Sequence, residues 1–182
     1  MPSLDEIDPA SLKVVKYPHP ALLQPSRPVA EFGPALEAVA RRMLEIMYAS
    51  GGVGLAAPQV GLPLQMFVAN LAAEPGGEDE GVYVNPRIVA RDGEVLEEEG
   101  CLSCPGVRGR IKRSASITLR ACDVRGREFE QTGEGLLARI FQHETDHLAG
   151  TLIVNRMSSV ARLANRRTLR DLEADYAAGG GR

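Results

Sequence analysis

The stretch GEGLLARIFQHETDHLAG, residues 133–150, decides how this chain is read. Leu136, Leu137, Ile140, Phe141 and Leu148 recur at the three- and four-residue spacing of an inward helical face. Thr132 is the candidate N-cap, Glu134 falls in the first turn, and Gly150 stands where a C-cap glycine belongs. His143 and His147 are four apart, so on that helix both imidazoles leave one face. They interrupt the apolar stripe instead of lying opposite it, which points to a polar site buried on a core helix. Glu144 completes a His-Glu-x-x-His pattern, in which two histidines hold a metal ion and the carboxylate handles the protons of bound water. A packed core pair is the plainer reading of the same two histidines. Against it, the chain holds three histidines and only His19 lies outside this arrangement.

A third ligand has to come from elsewhere. No histidine follows His147, which leaves a carboxylate or a cysteine. EEEGCLSCPGVRGR (97–110) carries Cys101 and Cys104 in a Cys-x-x-Cys spacing. Such a pair is a redox couple or half of a four-cysteine zinc ribbon. Pro105-Gly106 opposes the helix that a redox couple opens, and the ribbon lacks its second pair. Cys101 or Cys104 therefore completes a Cys-His-His site with one position open for chemistry. Cys122 reads as a buried strand cysteine. GGVGLAAPQVG (51–61) lacks the Gly-Lys-Ser/Thr ending of a phosphate loop, and its small residues let backbone approach something closely. Gln59, the polar side chain within it, is either a satisfied buried amide or a donor facing a reacting carbonyl oxygen.

At 182 residues, 44% hydrophobic and 25% charged, the chain has the size and composition of one globular domain spanning 1–182. A net charge of -3 argues against a nucleic-acid surface, and the basic runs 108–113 and 156–170 read as solvated faces. Nothing approaches the roughly 18 apolar residues of a membrane span. The acidic start MPSLDEID is not a secretory signal, and three cysteines, an odd number, favour a reducing cytoplasm over a disulfide framework.

Along the chain, residues 1–11 form a loose arm and the proline-rich segment 17–29 an extended wrap. A helix from about Pro34 to Tyr48 carries Leu36, Val39, Met43 and Met47 on one face. Strands follow at 65–70, 82–91, 95–99 and 116–122, with an exposed loop at 72–81. A turn at 123–126 leads into a hairpin partner at 127–131. The metal helix comes next, then an amphipathic helix from about Ser159 to Tyr176 and a frayed tail at 177–182. Without regular strand–helix alternation the fold class is α+β: small antiparallel or mixed sheets around a central HExxH helix, with an N-terminal and a C-terminal helix.

Three motifs in order make the chain resemble the peptide deformylase family: GVGLAAPQ (52–59), EGCLS (99–103) and QHETDH (142–147). Their spacing extends the resemblance over about 12–176. The resemblance implies metal ligands at Cys101, His143 and His147, a general acid/base at Glu144, and oxyanion contacts from the Gln59 side chain and the Leu102 N–H. It implies that Gly54 pairs with the substrate backbone and that Val53, Leu102, Arg108, Leu136, Arg139, His143 and Glu144 line a methionine pocket. It further implies one divalent ion, Fe2+ natively with Zn2+, Ni2+ or Co2+ as substitutes, and removal of the N-formyl group from initiator methionine of chains leaving the ribosome. An Asp146–Arg113 ion pair is implied as well. Departures are Asn155, His19 and Leu23, where the family commonly has acidic, Asp and Arg residues, and Arg139, whose stem would line the pocket while its charge reaches solvent. The competing readings are an amidase for small N-acyl metabolites and a structural zinc module that also uses Cys104.

Overall fold

Behind Pro34, the apolar residues at helical spacing become the fully buried stripe of α1 (Pro34–Ala49) in the computed structural model, which describes residues 4–76 and 80–180. Leu36, Val39, Met43 and Met47 have no exposed surface there. Of the N-terminal arm, residues 1–3 lie outside the described residues. Leu4–Glu6 and Pro9–Ser11 are 3-10 turns, and Leu4 and Ile7 pack on the α1 cluster rather than hanging free.

Five antiparallel strands form the main sheet in the order β1 (Gly54–Ala56), β2 (Met66–Ala69), β3 (Gly81–Asp92), β6 (Ser116–Cys122), β7 (Glu128–Glu134). A separate hairpin joins β4 (Val95–Gly100) to β5 (Arg108–Arg113). In β6 the alternation expected of a half-buried strand holds, with Ile117, Leu119 and Ala121 inside. β5 corrects the reading of 108–113 as a solvated face. Arg108, Arg110 and Lys112 do point out, but Ile111 and Arg113 alternate with them and are buried. Part of the 72–81 loop, residues 77–79, lies outside the described residues.

The central helix, α2 (Gly135–Leu148), starts later than its capping pattern suggests. Thr132 is not its N-cap: β7 runs on to Glu134, and the Thr132 hydroxyl meets that of Thr118 across the sheet at 2.9 Å. Gly135 makes the corner at φ +55°, a backbone that side chains avoid. Gly150, the residue after the C-cap Ala149, closes the helix with φ +70° and an N–H to the His147 carbonyl at 3.1 Å. Ala138, Phe141 and Leu148 seat α2 on the sheet, where Phe67 stacks on Tyr83 at 4.6 Å and Phe141 meets Tyr83 edge-on at 5.1 Å. Leu136, grouped with the inward face, is instead 46% exposed on the wall of an open cleft.

The helix expected from about Ser159 to Tyr176 divides into α4 (Ser159–Ala164) and α5 (Arg166–Asp175), and a short α3 (Ile153–Arg156) precedes them. The break at Asn165 has a cause. Its amide donates to the Arg108 carbonyl at 2.8 Å and accepts the Arg108 N–H at 3.2 Å, so it serves the edge of β5 instead of continuing the helix. Leu152, Ile153, Met157 and Leu172 then pack beneath Cys104, Val107 and Ile111 of the hairpin. Tyr176–Gly180 is a π-type turn, and 181–182 lie outside the described residues. Among the described residues no helix is long and apolar enough to cross a membrane.

Candidate metal centre and cleft

α2 is wedged between the large sheet and the β4–β5 hairpin, so its polar residues are buried as well as its apolar ones. Gln142, Glu144 and His147 are each 4% exposed or less. The side toward the hairpin forms the floor of a cleft of about 480 Å³. One wall is the segment around Gly52, Val53 and Gly54; the other runs from Glu98 through Arg108.

Cys101 and His143 line this cleft, and together with His147 they bring a sulfur and two ring nitrogens within 4.8 Å of one another. Cys101 comes from the turn after β4 and the histidines from successive turns of α2. Cys101 Sγ is 3.3 Å from His147 Nε2. His143 Nδ1 is 3.0 Å from a Glu99 carboxylate oxygen, to which it donates as the ring N–H, and this leaves the Nε2 lone pair for a metal. One soft thiolate and two imidazoles suit a four-coordinate divalent transition ion with one position left open. The Cys101 thiol is held well below its ordinary range by the neighbouring Cys104 thiol and, against burial, by the two histidines. That is the state in which a cysteine binds metal. Among the described residues no other group of three such donors converges on a point.

Glu144 stands beside these donors. Burial pushes its carboxyl above the ordinary range while the two histidines pull the other way. Oε2 is buried with no hydrogen-bond partner in the protein, which leaves it free to take a proton from water in the cleft. Gly54 explains why the glycine-rich segment is so small: a Cβ there would sit 2.5 Å from Glu144 Oε1 and 3.0 Å from Ile140. Gln59 is 1% exposed and fixed at its carbonyl end, where Oε1 accepts the Ala56 N–H at 2.8 Å. Nε2 is thereby turned to Ser103 Oγ at 3.3 Å and Cys101 Sγ at 3.5 Å, the cleft side.

Val53, Gly54, Leu102, Arg108, Leu136 and Arg139 all line the same cleft. Arg139 differs from expectation in its charged end, which folds back to donate to the Glu98 carbonyl at 2.6 Å and lies 3.8 Å from Glu99. Only 19% of that side chain is exposed. Glu99, to which sequence reasoning assigned no role, is the hub of the support. It receives His143 at 3.0 Å and Arg113 through two nitrogens at 3.0 and 2.9 Å. Burial opposes its charge, yet the hydrogen bonds from His143 and Arg113 hold its carboxyl at about 2. Arg113 also reaches Asp146 at 2.6 Å, and Arg156 takes the other Asp146 oxygen at 2.6 Å. The run EEEG reads as surface charge, and only its place two residues before Cys101 sets Glu99 apart.

The family model for polypeptide deformylase matches residues 11–163 of this chain. The peptide deformylase of Acidobacterium capsulatum is 43% identical over 160 residues, covering 88% of this chain and 94% of that protein. That of Rhodopirellula baltica is 42% identical over 165 residues, covering 89% and 77%. Among solved structures, peptide deformylase 1B of Arabidopsis thaliana in complex with an inhibitor is similar with a TM-score of 0.89 at 39% identity, over 94% of this chain and 95% of that one. The peptide deformylase of Plasmodium falciparum is similar with a TM-score of 0.87 at 39% identity, over 91% and 98%.

Proposed function

This chain belongs to the polypeptide deformylase family, whose metal-dependent hydrolysis removes the N-formyl group from nascent peptides, and we propose that the cleft over α2 is where it does so. Cys101, His143 and His147 hold one divalent ion, Fe2+ in the cell, with Zn2+, Ni2+ or Co2+ able to replace it. When bound, the ion supplies Lewis acidity and lowers the pKa of water toward neutrality. The observation that carries the reading is the convergence of these three donors beside a buried, unpaired Glu144 oxygen.

Glu144 takes the proton of the attacking water and later delivers it to the amine that leaves as formate is released. The Gln59 amide and the Leu102 N–H meet the negative charge that develops on the formyl oxygen. Gln59 needs no reorganisation for this, because Ala56 already fixes its carbonyl end. The cleft wall at Gly54 offers backbone to an extended peptide, and the methionine side chain sits among Val53, Leu102, Leu136 and the stems of Arg108 and Arg139. We take N-formylmethionyl chains emerging from the ribosome as the substrate, and the protein as one catalytic domain acting on them in the cytoplasm. Formate release from formyl-Met-Ala-Ser and its acetyl counterpart tests the reading. The protein should act on the first and spare the second, and Glu144→Gln should keep its metal while losing nearly all turnover. Wild-type formate release by metal-replete Glu144→Gln would place the base elsewhere.

A further inference from the structure

Cys104 has no part in this reaction, yet it is fully buried three residues from the ligand cysteine, and both residues border the cleft. The Cys104 N–H donates to the Cys101 carbonyl at 3.0 Å, closing a tight turn. Such a turn holds its end Cα atoms within about 7 Å, the range in which a disulfide closes without moving backbone. Cys101 packs against the apolar cluster that contains Cys104. Cys101 is partly exposed to the cleft, so a small oxidant reaches it, whereas Cys104 is fully buried in a cluster with Val107, Ile111 and Leu22.

We propose that Cys101 and Cys104 form a reversible thiol–disulfide couple, with Cys104 the resolving thiol that protects the ligand cysteine from hydroperoxides. The Cys101 sulfur attacks the peroxide oxygen and becomes a sulfenic acid as water leaves. The Cys104 sulfur then attacks the Cys101 sulfur, the S–S bond forms and a second water departs. Two thiols lose two electrons in all, and one hydrogen peroxide becomes two waters. The disulfide no longer offers a thiolate, so the centre loses one of three donors and releases its ion. A dithiol returns both cysteines by exchange. Without Cys104, the sulfenic acid has no neighbour to condense with and proceeds to irreversible sulfinic and sulfonic acids. Cys122, at the end of β6, does not line the cleft.

The bond itself does not depend on the proposed metal assignment; the release of metal does, and the two are read separately. Zinc-loaded protein is treated with hydrogen peroxide, alkylated, and mapped by mass while bound zinc is counted. The expected result is a Cys101–Cys104 disulfide, loss of two free thiols and of the zinc, and recovery of all three with dithiothreitol and added zinc. Cys104→Ala and Cys104→Val should bind zinc beforehand but end with oxidised Cys101 and no recovery. Sulfinic or sulfonic acid on wild-type Cys101 without the disulfide would overturn the proposal, as would equal recovery in the Cys104 variants. A disulfide that forms while zinc stays bound would uphold the couple and overturn Cys101 as a ligand.

Discussion

Gly54 shows how much a single methyl group decides. Its missing side chain leaves the space in which Glu144 stands, and a Cβ placed there would lie 2.5 Å from Oε1. Gly54→Ala must therefore move the carboxylate or the strand, and an error of that size at a reacting group costs about 100-fold in rate. Formate release should fall by that order while bound metal stays stoichiometric, because Cys101 and both histidines are untouched. A Gly54→Ala variant with the parent rate would show that Glu144 does not need its present position. Glu99 decides a different property. Its carboxyl is held at about 2 against an ordinary 4.5 despite its burial, because His143 and Arg113 stabilise the charged form. A depressed folded-state pKa contributes stability that is complete above the ordinary value and fades as pH falls toward the folded one. The window is thus pH 4.5 down to 2, and the contribution is on the order of 3 kcal/mol. Melting temperatures of the parent should drop more steeply on acidification through this window than those of Glu99→Gln. Parallel curves would mean that the ion pair carries no net stability.

At the scale of elements, the hairpin and α2 are joined by charge rather than by apolar packing. Arg113 of β5 is bound by Glu99 of β4 and Asp146 of α2, and Asp146 also receives Arg156 from α3. Three elements thus meet at the buried Arg113 guanidinium and α3 joins them through Asp146, so the segment bearing Cys101 is kept in register with the helix bearing the histidines. Asp146→Asn leaves Arg113 with Glu99 alone, so the loss should be about 2–3 kcal/mol, short of a fully orphaned buried charge. Denaturant midpoints and metal retention should both fall. Unchanged values in both would mean that this network does not hold the hairpin in place. Arg113 and Asp146 were legible as a pair only through the family's motifs. Arg113 itself sits in a run, RGRIKR, whose charges look like one surface until the period of two separates Ile111 and Arg113 from their neighbours. Glu99 is hidden by the same arithmetic within EEEG. The long helix patterns, the β6 alternation and the three motifs were readable because each repeats a period or a spacing. The corner at Gly135, the break at Asn165 and the folded-back Arg139 were not, since each is settled by a partner distant in sequence.

For the molecule as a whole, the consequence is two bodies of unequal independence. The five-stranded sheet has its own interior, with Phe67, Tyr83, Ile117, Leu119 and Phe141 buried together on one side of α2. The hairpin has a smaller one, built from Cys104, Val107 and Ile111 with the C-terminal helices. Between them lies the cleft, and the two sides are bridged by the Glu99–Arg113–Asp146 network and by the three donors Cys101, His143 and His147. A metal ion bound to those donors ties hairpin to helix, and its binding free energy adds to the stability of the joined state alone. Chelation should therefore act locally. Amide exchange should quicken in residues 95–113 and in the second half of α2, where the opened state costs least, while β3, β6 and β7 keep the protection of their own core. The melting temperature should fall with chelation and return on adding Zn2+ or Ni2+. Equal loss of protection across both regions would show a single cooperative unit, and no change anywhere would show that the ion, wherever it binds, does not join them.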